Sequence, residues 1–485
     1  MKKRTKIVAT IGPASDSLSA IESLIRAGVN IFRLNFSHGT HEYHGEVLAR
    51  IRQAMEVTKL TVGVLQDISG PKIRIGELEH QFELEEGDCI VFHKETCIGK
   101  KAGEHTYDVS INYPEILDQL NVDDYIYLYD GIIRTKVIEV SENSIKVYVE
   151  NSGVLSSKKG VNFPNTRLGV DVLTAKDRID MAWGVKNDVD FMAISFVQHA
   201  GDMLQAREIV SSHGGKQMLL AKIEKFDAIE NIDAIMEASD GIMVARGDLG
   251  IEVPYYEVPT LQKMLIHKAN AAAKPVITAT QMLLSMTKSE RATRAEISDI
   301  ANAVLDGSDA VMLSEESAVG VHPSLAVETM FETIRETELN YPFHRFRTFE
   351  RNDVTDAIDE SAVRLSRDLN AEGILTLSAS GSSARKLARY RPKRPIYAIT
   401  HDDTIRRQLT LTWGVVPVFS VTAKSLGMTL CEVMDYGLKK GILDFEKSYI
   451  LTAGDPTGIS GTTNMIRLLQ KQEMEFFRGL KDKSL

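Results

Sequence analysis

KIVATI, residues 6–11, is the first of eight short apolar runs that decide the fold of this 485-residue chain. Helical periodicity fills most of the intervals between the runs, for example at 17–28 and 227–238. Strands that are buried on both faces have continuous apolar sequences of this kind. The other seven runs are NIFRLNF (30–36), TVGVLQD (61–67), DFMAISF (190–196), MLLAKIE (218–224), GIMVARG (241–247), PVITAT (275–280) and DAVMLS (309–314).

Eight β/α units predict an α/β fold in which the strands close into a (β/α)₈ TIM barrel. The main alternative is an open, doubly wound sheet. The count of eight favours the barrel, and so does the absence of a glycine-rich nucleotide-binding turn after the first run.

The barrel pattern is interrupted over residues 71–165. Apolar residues alternate there with period two, as in CIVFH (89–93) and IKVYV (145–149), and Asp130 and Gly131 provide a turn signal. The segment predicts a small all-β domain inserted after the third barrel strand. A domain at this position can close over the barrel mouth and exclude water.

The chain beyond the barrel contains a further domain. Residues 341–352 lack periodicity and resemble a linker, and strand and helix patterns then alternate again, as in GILTLS (373–378). We therefore expect a barrel from 1–70 and 166–340, an inserted β domain from 71–165, and a C-terminal α/β domain from 353–485.

The composition of the chain indicates which partners it is not suited to bind and in which compartment it is expected. The net charge of −10 argues against nonspecific nucleic-acid binding, because carboxylates outnumber the cations that would neutralise phosphates. Three widely spaced cysteines without a C-x-x-C pair indicate a reducing cytoplasm. The sequence contains no run of about 18 apolar residues, so no membrane-spanning helix is predicted. The basic start is followed by a short run that Gly12 and Pro13 interrupt, which favours a strand over a secretory signal.

Polar residues follow the later barrel strands where reactive groups of TIM barrels lie. Lys222 and Glu224 end the fifth run, Asp248 follows the sixth, and Thr280 and Ser314 close the seventh and eighth. The sequence therefore predicts one rim with a cation, two carboxylates and two hydroxyls. The two carboxylates are hard oxygen ligands that suit Mg²⁺ or Mn²⁺. Either one alone is more typical of a solvated loop.

Two further segments extend this predicted rim. VARGDLG (244–250) contains Gly247 and Gly250, which suit a nest of backbone amides for an anion, although a plain strand-to-helix turn explains them equally well. At the ends of strands two and three, two arginines and several small polar side chains suit a phosphoryl group and a cation. These residues are Arg33, Asn35, Ser37, His38, Asp67 and Arg74.

Several common nucleotide and hydrolase motifs do not occur in the sequence. No G-x-x-x-x-G-K-[ST], G-x-G or G-x-S-x-G is present. Their absence argues against a P-loop ATPase, a dinucleotide-binding domain, a protein kinase and an α/β-hydrolase.

Together the segments resemble the pyruvate kinase family in order and spacing, over nearly the whole chain. The resemblance implies transfer of a phosphoryl group from phosphoenolpyruvate to ADP. It is carried by TKIVATIGPAS (5–15), RLNFSHGTHEYH (33–44), GPKIR (70–74), KKGVNFP (158–164), KIE (222–224), SDGIMVARGDLG (239–250), KPVITATQM (274–282), TRAEISDIANAVLDGSDAVMLS (293–314) and ARYRPKRPI (388–396).

The resemblance implies a role for each matching residue. Lys222 lies beside the transferring phosphoryl group, Glu224 and Asp248 hold the divalent metal, and Arg33 and Arg74 approach the phosphate. Thr280 and Ser314 are the hydroxyls implicated in protonating the enol, and the amides of Gly247 and Asp248 bind the substrate carboxylate. Nucleotide contacts fall on Pro13, His38, Tyr43 and Lys159.

The sequence departs from the family pattern at the predicted monovalent-cation site. Asn35, Ser37, Asp67 and the carbonyl of Ile68 match the ligands of K⁺, but Lys72 stands where K⁺-dependent members have glutamate. We expect the fixed ammonium to replace K⁺. A second departure, MLSEESAVG in place of MLSGETAKG, leaves Ser314 unchanged.

In the C-terminal domain, TLSASGSSAR (376–385) resembles the family's effector pocket, where a helix N-terminus binds a phosphorylated metabolite. Simple helix capping is the alternative. The predicted effector residues are Ser378, Ser380, Ser382 and Ser383, and the loop GDPTGISGTT (454–463) is expected to close over the ligand.

The resemblance also implies a homotetramer. Two other functions remain open at this stage. A barrel lyase that acts on phosphoenolpyruvate or pyruvate would not need the inserted and appended domains. A catalytically inactive metabolite sensor would be expected to have lost at least one of Lys222, Glu224, Asp248 and Thr280, and all four are present.

Overall fold

The structure is a computed structural model that describes most of the chain. The described residues are 3–164, 166–167, 169, 171–347, 349–350, 353–421, 425–454 and 463–480. Within these ranges, no helix combines the length and the apolar character needed to cross a membrane.

Eight parallel strands form a closed barrel, which confirms the predicted fold. Each strand pairs with the next along the chain, and the last returns to the first through pairs such as Lys6 with Ala310. The strands are β1 (Lys6–Thr10), β2 (Ile31–Asn35), β3 (Gly63–Asp67), β4 (Phe191–Ile194), β5 (Met218–Ile223), β6 (Gly241–Ala245), β7 (Val276–Ala279) and β8 (Ala310–Leu313).

Helices surround the barrel and bury the outer faces of its strands. Polar side chains fix where some of these helices begin. Before the helix Arg294–Asp306, the Thr293 hydroxyl accepts a hydrogen bond from the Glu296 amide, and the Glu296 carboxylate accepts one from the Thr293 amide. The helices are α1 (Leu18–Ala27), α2 (His41–Thr58), α3 (Ala175–Lys186), α4 (Ala200–Ser212), α5 (Phe226–Glu230), α6 (Ile232–Ala238), α7 (Arg246–Glu252), α8 (Val258–Ala271), α9 (Arg294–Asp306), α10 (Glu315–Ala318) and α11 (Pro323–Thr337).

The interruption after β3 folds as short β-strands around a hydrophobic core of its own. Buried and exposed residues alternate along these strands, as the period-two pattern predicts. Seven strands form one sheet: Cys89–His93, Lys100–Gly103, Thr106–Ser110, Tyr125–Leu128, Ile133–Val140, Ser144–Val149 and Val161–Asn162. Phe82–Leu84 and Gly153–Leu155 form a separate pair.

The C-terminal part of the chain is a five-stranded α/β unit. Its strands lie in the order Val415–Ser420, Ile396–Thr400, Gly373–Leu377, Tyr449–Ala453 and Met465–Leu469, and only the last is antiparallel to its neighbour. The strands are β9 (Gly373–Leu377), β10 (Ile396–Thr400), β11 (Val415–Ser420), β12 (Tyr449–Ala453) and β13 (Met465–Leu469). The helices are α12 (Val354–Asp368), α13 (Ser382–Arg389), α14 (Asp403–Gln408), α15 (Leu426–Lys439) and α16 (Lys471–Gly479).

This C-terminal unit packs against the amino ends of the barrel strands. The Arg407 guanidinium lies 2.7 Å from the Asp190 carboxylate just before β4, and Arg391 lies 3.2 Å from Asp309 just before β8. Lys6 donates to the Val415 carbonyl at 2.6 Å. Burial raises the pKa of Asp190 to about 6, although Arg407 acts in the opposite direction. The carboxyl ends of the barrel strands remain free for the site.

Candidate active site

Lys222 is the central charge at the carboxyl rim of the barrel. It is the penultimate residue of β5, and its Nζ lies 2.8 Å from Glu224 Oε1 and 3.3 Å from Asp67 Oδ1. Burial alone would lower the pKa of Lys222, but the carboxylates of Asp67, Glu224 and Asp248 raise it above the ordinary lysine value. The side chain is therefore a buried ammonium held by carboxylates.

Arg33 provides a second cation at the ends of β2 and β3. Its Nε donates to Asp67 Oδ2 at 2.6 Å, and its Nη1 donates to Thr10 Oγ1 at 3.0 Å. Burial acts to raise the pKa of Asp67, but Lys222 and Arg33 outweigh it and lower that pKa. One ionised carboxylate thus holds both cations beside the same rim.

The two predicted metal ligands also meet at this rim. Glu224 follows β5, and Asp248 lies in the first turn of α7. Burial raises the pKa of Glu224, Lys222 acts against this, and the nearby charge of Asp248 raises the pKa further. Like charges brought this close suit a shared cation.

The described residues contain no group of three or more histidine, cysteine, aspartate or glutamate side chains arranged for a metal ion. The carboxylates of Glu224 and Asp248 would therefore leave most coordination positions to substrate oxygens and water. Mg²⁺ and Mn²⁺ usually keep several such ligands, so the donor set fits a divalent cation that binds together with its substrate.

Thr280 closes β7 in an unusual backbone conformation. The φ angle of Thr280 is 72°, which is strained for a β-branched residue, and that of the following Gln281 is 56°. Arg246 fixes this turn because its Nη2 donates to the Thr280 carbonyl at 2.7 Å while its guanidinium binds Asp299. The Thr280 hydroxyl accepts the Gly247 amide at 2.9 Å. Backbone strain of this kind clusters at functional sites.

The segment 244–250 forms the strand-to-helix turn, the second of the two interpretations given for it. Residues Arg246–Glu252 are helical, and neither Gly247 nor Gly250 has a positive φ. Gly247 and Asp248 therefore lie in the first turn of α7.

Ser314 follows β8 and is held by a buried glutamate. Its amide donates to Glu316 Oε2 at 2.7 Å, and Glu316 Oε1 accepts the amide of Leu283 at 3.0 Å. Glu316 therefore joins the loops after β7 and β8 and fixes Ser314 relative to Thr280. Glu316 lies in the segment MLSEESAVG, whose sequence alone does not indicate this role.

A cleft of about 310 Å³ separates the rim from the inserted domain. Its walls include the cations Lys72, Arg74 and Lys159 and the carboxylates of Asp130 and Asp248. Arg74 is exposed in the wall of this cleft, where it donates to the Lys158 carbonyl of the inserted domain at 3.3 Å. The cleft thus concentrates positive charge on a chain that is acidic overall.

Of the predicted nucleotide contacts, Lys159 lines this cleft, whereas Pro13, His38 and Tyr43 belong to the barrel and are not among the residues that line it. Lys159 Nζ lies 3.9 Å from the centre of the Tyr129 ring. His38 is exposed, and partial burial together with Lys72 and other nearby cations lowers its pKa. Pro13 is exposed on the barrel side. Tyr43 donates to Asp16 at 3.1 Å, and burial and that carboxylate raise its pKa to about 12.

Two family models match the chain. The model described as pyruvate kinase, barrel domain, matches residues 2–327, and the model described as pyruvate kinase, alpha/beta domain, matches residues 356–469. The chain belongs to the pyruvate kinase family. Its reaction is transfer of the phosphoryl group of phosphoenolpyruvate to ADP, which yields pyruvate and ATP. A match that includes the appended domain favours this function over a barrel lyase.

Individual pyruvate kinases resemble the chain over nearly its full length. The pyruvate kinase of Geobacillus stearothermophilus is 42% identical over 476 residues, which cover 96% of this chain and 80% of that protein. That of Clostridium acetobutylicum is 38% identical over 472 residues, with 96% and 99% covered. A crystal structure of a pyruvate kinase from Cryptosporidium parvum matches with a TM-score of 0.90 at 33% identity, covering 96% of each chain.

The residues that match the K⁺ ligands of pyruvate kinases all have protein partners in this structure. The Asn35 side chain accepts the Ser37 amide at 3.1 Å, and the Ser37 hydroxyl donates to Ser69 at 3.4 Å. The Asp67 carboxylate binds Arg33 and Lys222. The Ile68 carbonyl accepts a serine hydroxyl at 2.6 Å.

The four predicted effector residues surround the start of α13. Gly381 precedes the helix with a φ of 77°, and Ser382 and Ser383 form its first turn. The Ser383 hydroxyl bonds that of Thr463, the last residue of the predicted covering loop. Ser378 is buried, and the Ser380 carbonyl accepts from Arg385 at 3.1 Å. Residues 455–462 of that loop lie outside the described residues.

Sequence reasoning missed two residues that contact the centre of the site. Ser195 and Phe196 follow β4, inside the run 190–196 that predicted this strand. The Ser195 hydroxyl accepts Lys222 Nζ at 2.7 Å, and the Phe196 amide donates to Glu224 Oε2 at 2.7 Å. The signal was available, because a serine at the carboxyl end of a barrel strand is in the position of a site residue.

Proposed function

We propose that this pyruvate kinase transfers the phosphoryl group at the rim around Lys222, with Arg33 as the second positive charge. The observation that carries the proposal is the position of the Lys222 ammonium, buried between Asp67 and Glu224 at the carboxyl ends of the strands. Phosphoryl transfer requires positioning and neutralisation of charge on the equatorial oxygens. Fixed cations in a buried site stabilise that charge without reorganisation.

Glu224 and Asp248 would hold the Mg²⁺ or Mn²⁺ ion. When bound, such an ion polarises phosphoryl and carboxylate oxygens and neutralises their charge. The protein contributes the two carboxylates and the buried Lys222 that limits their mutual repulsion. The amides of Gly247 and Asp248, in the first turn of α7, would bind the substrate carboxylate, as the family resemblance implies. The Gly247 amide, which donates to the Thr280 hydroxyl in this structure, would exchange that partner for the carboxylate.

After the transfer, the enolate of pyruvate must gain a proton on carbon. The Lys222 ammonium stabilises the enolate oxygen. The hydroxyls of Thr280 and Ser314 follow neighbouring strands and can deliver a proton through a water. ADP would occupy the cleft between barrel and inserted domain, with its phosphates near Lys159 and Arg74 and its other contacts at Pro13, His38 and Tyr43.

The direct test is the formation of ATP from phosphoenolpyruvate and ADP in the presence of Mg²⁺. A coupled assay that follows pyruvate in parallel should show equal amounts of both products. Pyruvate formed without ATP would support a lyase. Substrate binding without any product would support the inactive sensor.

We further propose that Lys72 replaces K⁺. Lys72 is half-buried in the cleft, where burial, Arg74 and Lys222 lower its pKa while Asp248 and Asp67 favour its charged form. An ammonium here repels a second monovalent cation. We expect full activity in a tetramethylammonium buffer, with less than about a twofold change on adding KCl, since the fixed charge is already present. Initial rates with and without KCl measure this.

The variant Lys72→Glu is expected to create a K⁺ requirement, because it replaces the ammonium by a carboxylate beside Asp67. Lys158→Glu is the matched control: it reverses a charge in the same cleft, and it should not make the rate depend on K⁺. A wild-type enzyme that KCl activates many-fold, or a Lys72→Glu variant indifferent to K⁺, would contradict the proposal.

The serines at the start of α13 are proposed to bind a phosphorylated metabolite, either a sugar phosphate or AMP. A helix N-terminus offers backbone amides and the positive end of the helix dipole, and both favour such an anion. Binding there should lower the phosphoenolpyruvate concentration at half-saturation. Saturation curves measured with a panel of sugar phosphates and nucleotides test this expectation.

Ser382→Asp should abolish the response to the effector, because it places a negative charge where the phosphate would bind. Ser361→Asp, on an exposed face of α12, introduces the same charge elsewhere in the domain and should leave the response intact. If no compound shifts the wild-type curve, or if the shift survives Ser382→Asp, the serines only cap the helix. A homotetramer in the cytoplasm is the proposed state of the enzyme, as the family resemblance implies.

A further inference from the structure

Ser195 is the one neutral side chain shown to bond the Lys222 ammonium in the described part of the chain. It lies directly after β4 and is only 2% exposed. Its oxygen accepts Lys222 Nζ at 2.7 Å. We infer that Ser195 is a positioning residue: it fixes the Lys222 ammonium at the point from which it serves phosphoryl transfer. This inference rests on the role proposed for Lys222.

The hydrogen bonds of Ser195 have a defined direction. The Ser195 hydroxyl donates its single proton to the Ile68 carbonyl at 2.6 Å. Its lone pairs are therefore left to the Lys222 ammonium, which can only donate. This relay joins the loop after β3 to the end of β5, so the position of Lys222 depends on a backbone carbonyl as well as on carboxylates.

This relay complements the ion pairs of Lys222. Asp67 and Glu224 hold the Lys222 ammonium from two directions, at 3.3 Å and 2.8 Å. A neutral acceptor at 2.7 Å defines a third direction and restricts movement of the ammonium. Positioning of this kind matters because small displacements of a catalytic group are costly in rate.

The turn that carries Ser195 is itself rigid. The Phe196 amide donates to Glu224 Oε2 at 2.7 Å, and Phe196 has a φ of 57°, which a bulky residue rarely adopts. Gly70 packs against this turn so closely that an added Cβ would lie 2.7 Å from the Phe196 ring and 3.1 Å from the Ser195 Cβ. The same turn therefore anchors both Lys222 and its neighbour Glu224.

Ser195→Ala tests the inference because it removes the hydroxyl and adds no volume. We expect kcat to fall by about 10–100-fold, which is the usual effect of losing a group that orients a functional residue. The KM for phosphoenolpyruvate should change by less than about threefold, because the ammonium itself is retained. Steady-state kinetics with both substrates varied give these values.

A double-mutant cycle with Lys222→Met separates positioning from general stability. If Ser195 acts through Lys222, Ser195→Ala should cause no further loss of kcat in the Lys222→Met background. A loss of equal size in both backgrounds would overturn the inference. So would an unchanged kcat in the single variant. If Lys222→Met itself is fully active, the role proposed for Lys222 fails instead, and the two failures are thereby distinguished.

Ser239→Ala is the matched control. Ser239 is also 2% exposed and donates to a backbone carbonyl, that of Ile235 at 2.7 Å, but it lies at the end of α6, away from the rim. Its loss should lower the midpoint of thermal unfolding as much as Ser195→Ala does, and it should leave kcat unchanged. An equal loss of kcat in Ser239→Ala would show that the effect is structural.

Discussion

Replacing Lys222 with methionine is expected to lower kcat by about 10²–10³-fold or more, because it removes a preorganised positive charge from the transition state. Methionine fills a similar volume, so the barrel should keep its fold. The carboxylates of Asp67 and Glu224 would lose their shared partner. Steady-state assays of pyruvate formation, with circular dichroism to verify folding, measure the effect.

Lys274→Met is the control for this variant. The Lys274 ammonium is also partly buried, but it donates to backbone carbonyls, such as that of Ser239, at the amino end of the barrel. Its loss should reduce stability and leave kcat unchanged. A Lys222→Met enzyme with near-normal turnover would remove Lys222 from the mechanism.

Asp248→Asn is expected to raise the Mg²⁺ concentration needed for half-maximal activity by about tenfold or more, because metal affinity depends on the number of charged ligands. Glu224→Gln should act in the same direction. Titrating the activity with Mg²⁺ and with Mn²⁺ at saturating substrate measures both shifts.

Asp202→Asn is the matched control for these metal-site variants. Asp202 lies in the first turn of α4, as Asp248 does in α7, but it accepts the amides of Gln198 and His199 and caps its helix. Its replacement should leave the Mg²⁺ titration unchanged. If Asp248→Asn and Glu224→Gln also leave it unchanged, neither residue is a ligand.

The barrel was predictable because its strands are buried on both faces. Each apolar run, such as 218–224, contains a strand whose last residues, or the residues directly after it, are the polar residues of the rim. The positions of these polar groups on the rim can therefore be predicted from the strand positions and the topology alone. Lys222 and Glu224 were located in this way, one at the end of β5 and one directly after it.

Features that depend on three-dimensional contacts were less predictable. Arg74 follows the third strand in sequence, but in the structure it bonds the inserted domain, in the wall of the cleft. Gly247 and Gly250 suggested a nest, but the chain continues there as a helix. Glycine permits a positive φ without requiring one.

The positioning residues were missed for a related reason. Ser195 and Glu316 act through hydrogen bonds to residues that are distant in sequence, such as Ile68 and Leu283. Nothing in their own local sequence reports those partners. The strained φ of Thr280 is also invisible in sequence, because a threonine at the end of a strand is ordinarily extended.

The contacts between the barrel and the C-terminal unit have a consequence for how the protein unfolds. Asp190 accepts the Val64 amide inside the barrel and also the Arg407 guanidinium from α14. Asp309 likewise accepts a barrel amide and the amide of Trp413. Each carboxylate is therefore shared by two domains.

Shared carboxylates make the two domains a single cooperative unit. If the C-terminal unit melted first, Asp190 and Asp309 would lose half of their partners at the foot of two barrel strands, and the barrel would be weakened at the same moment. The inserted domain has a core of its own and no part in these bonds. Heating should therefore melt the barrel and the C-terminal unit together, and a chain truncated after the barrel would start from a lower stability.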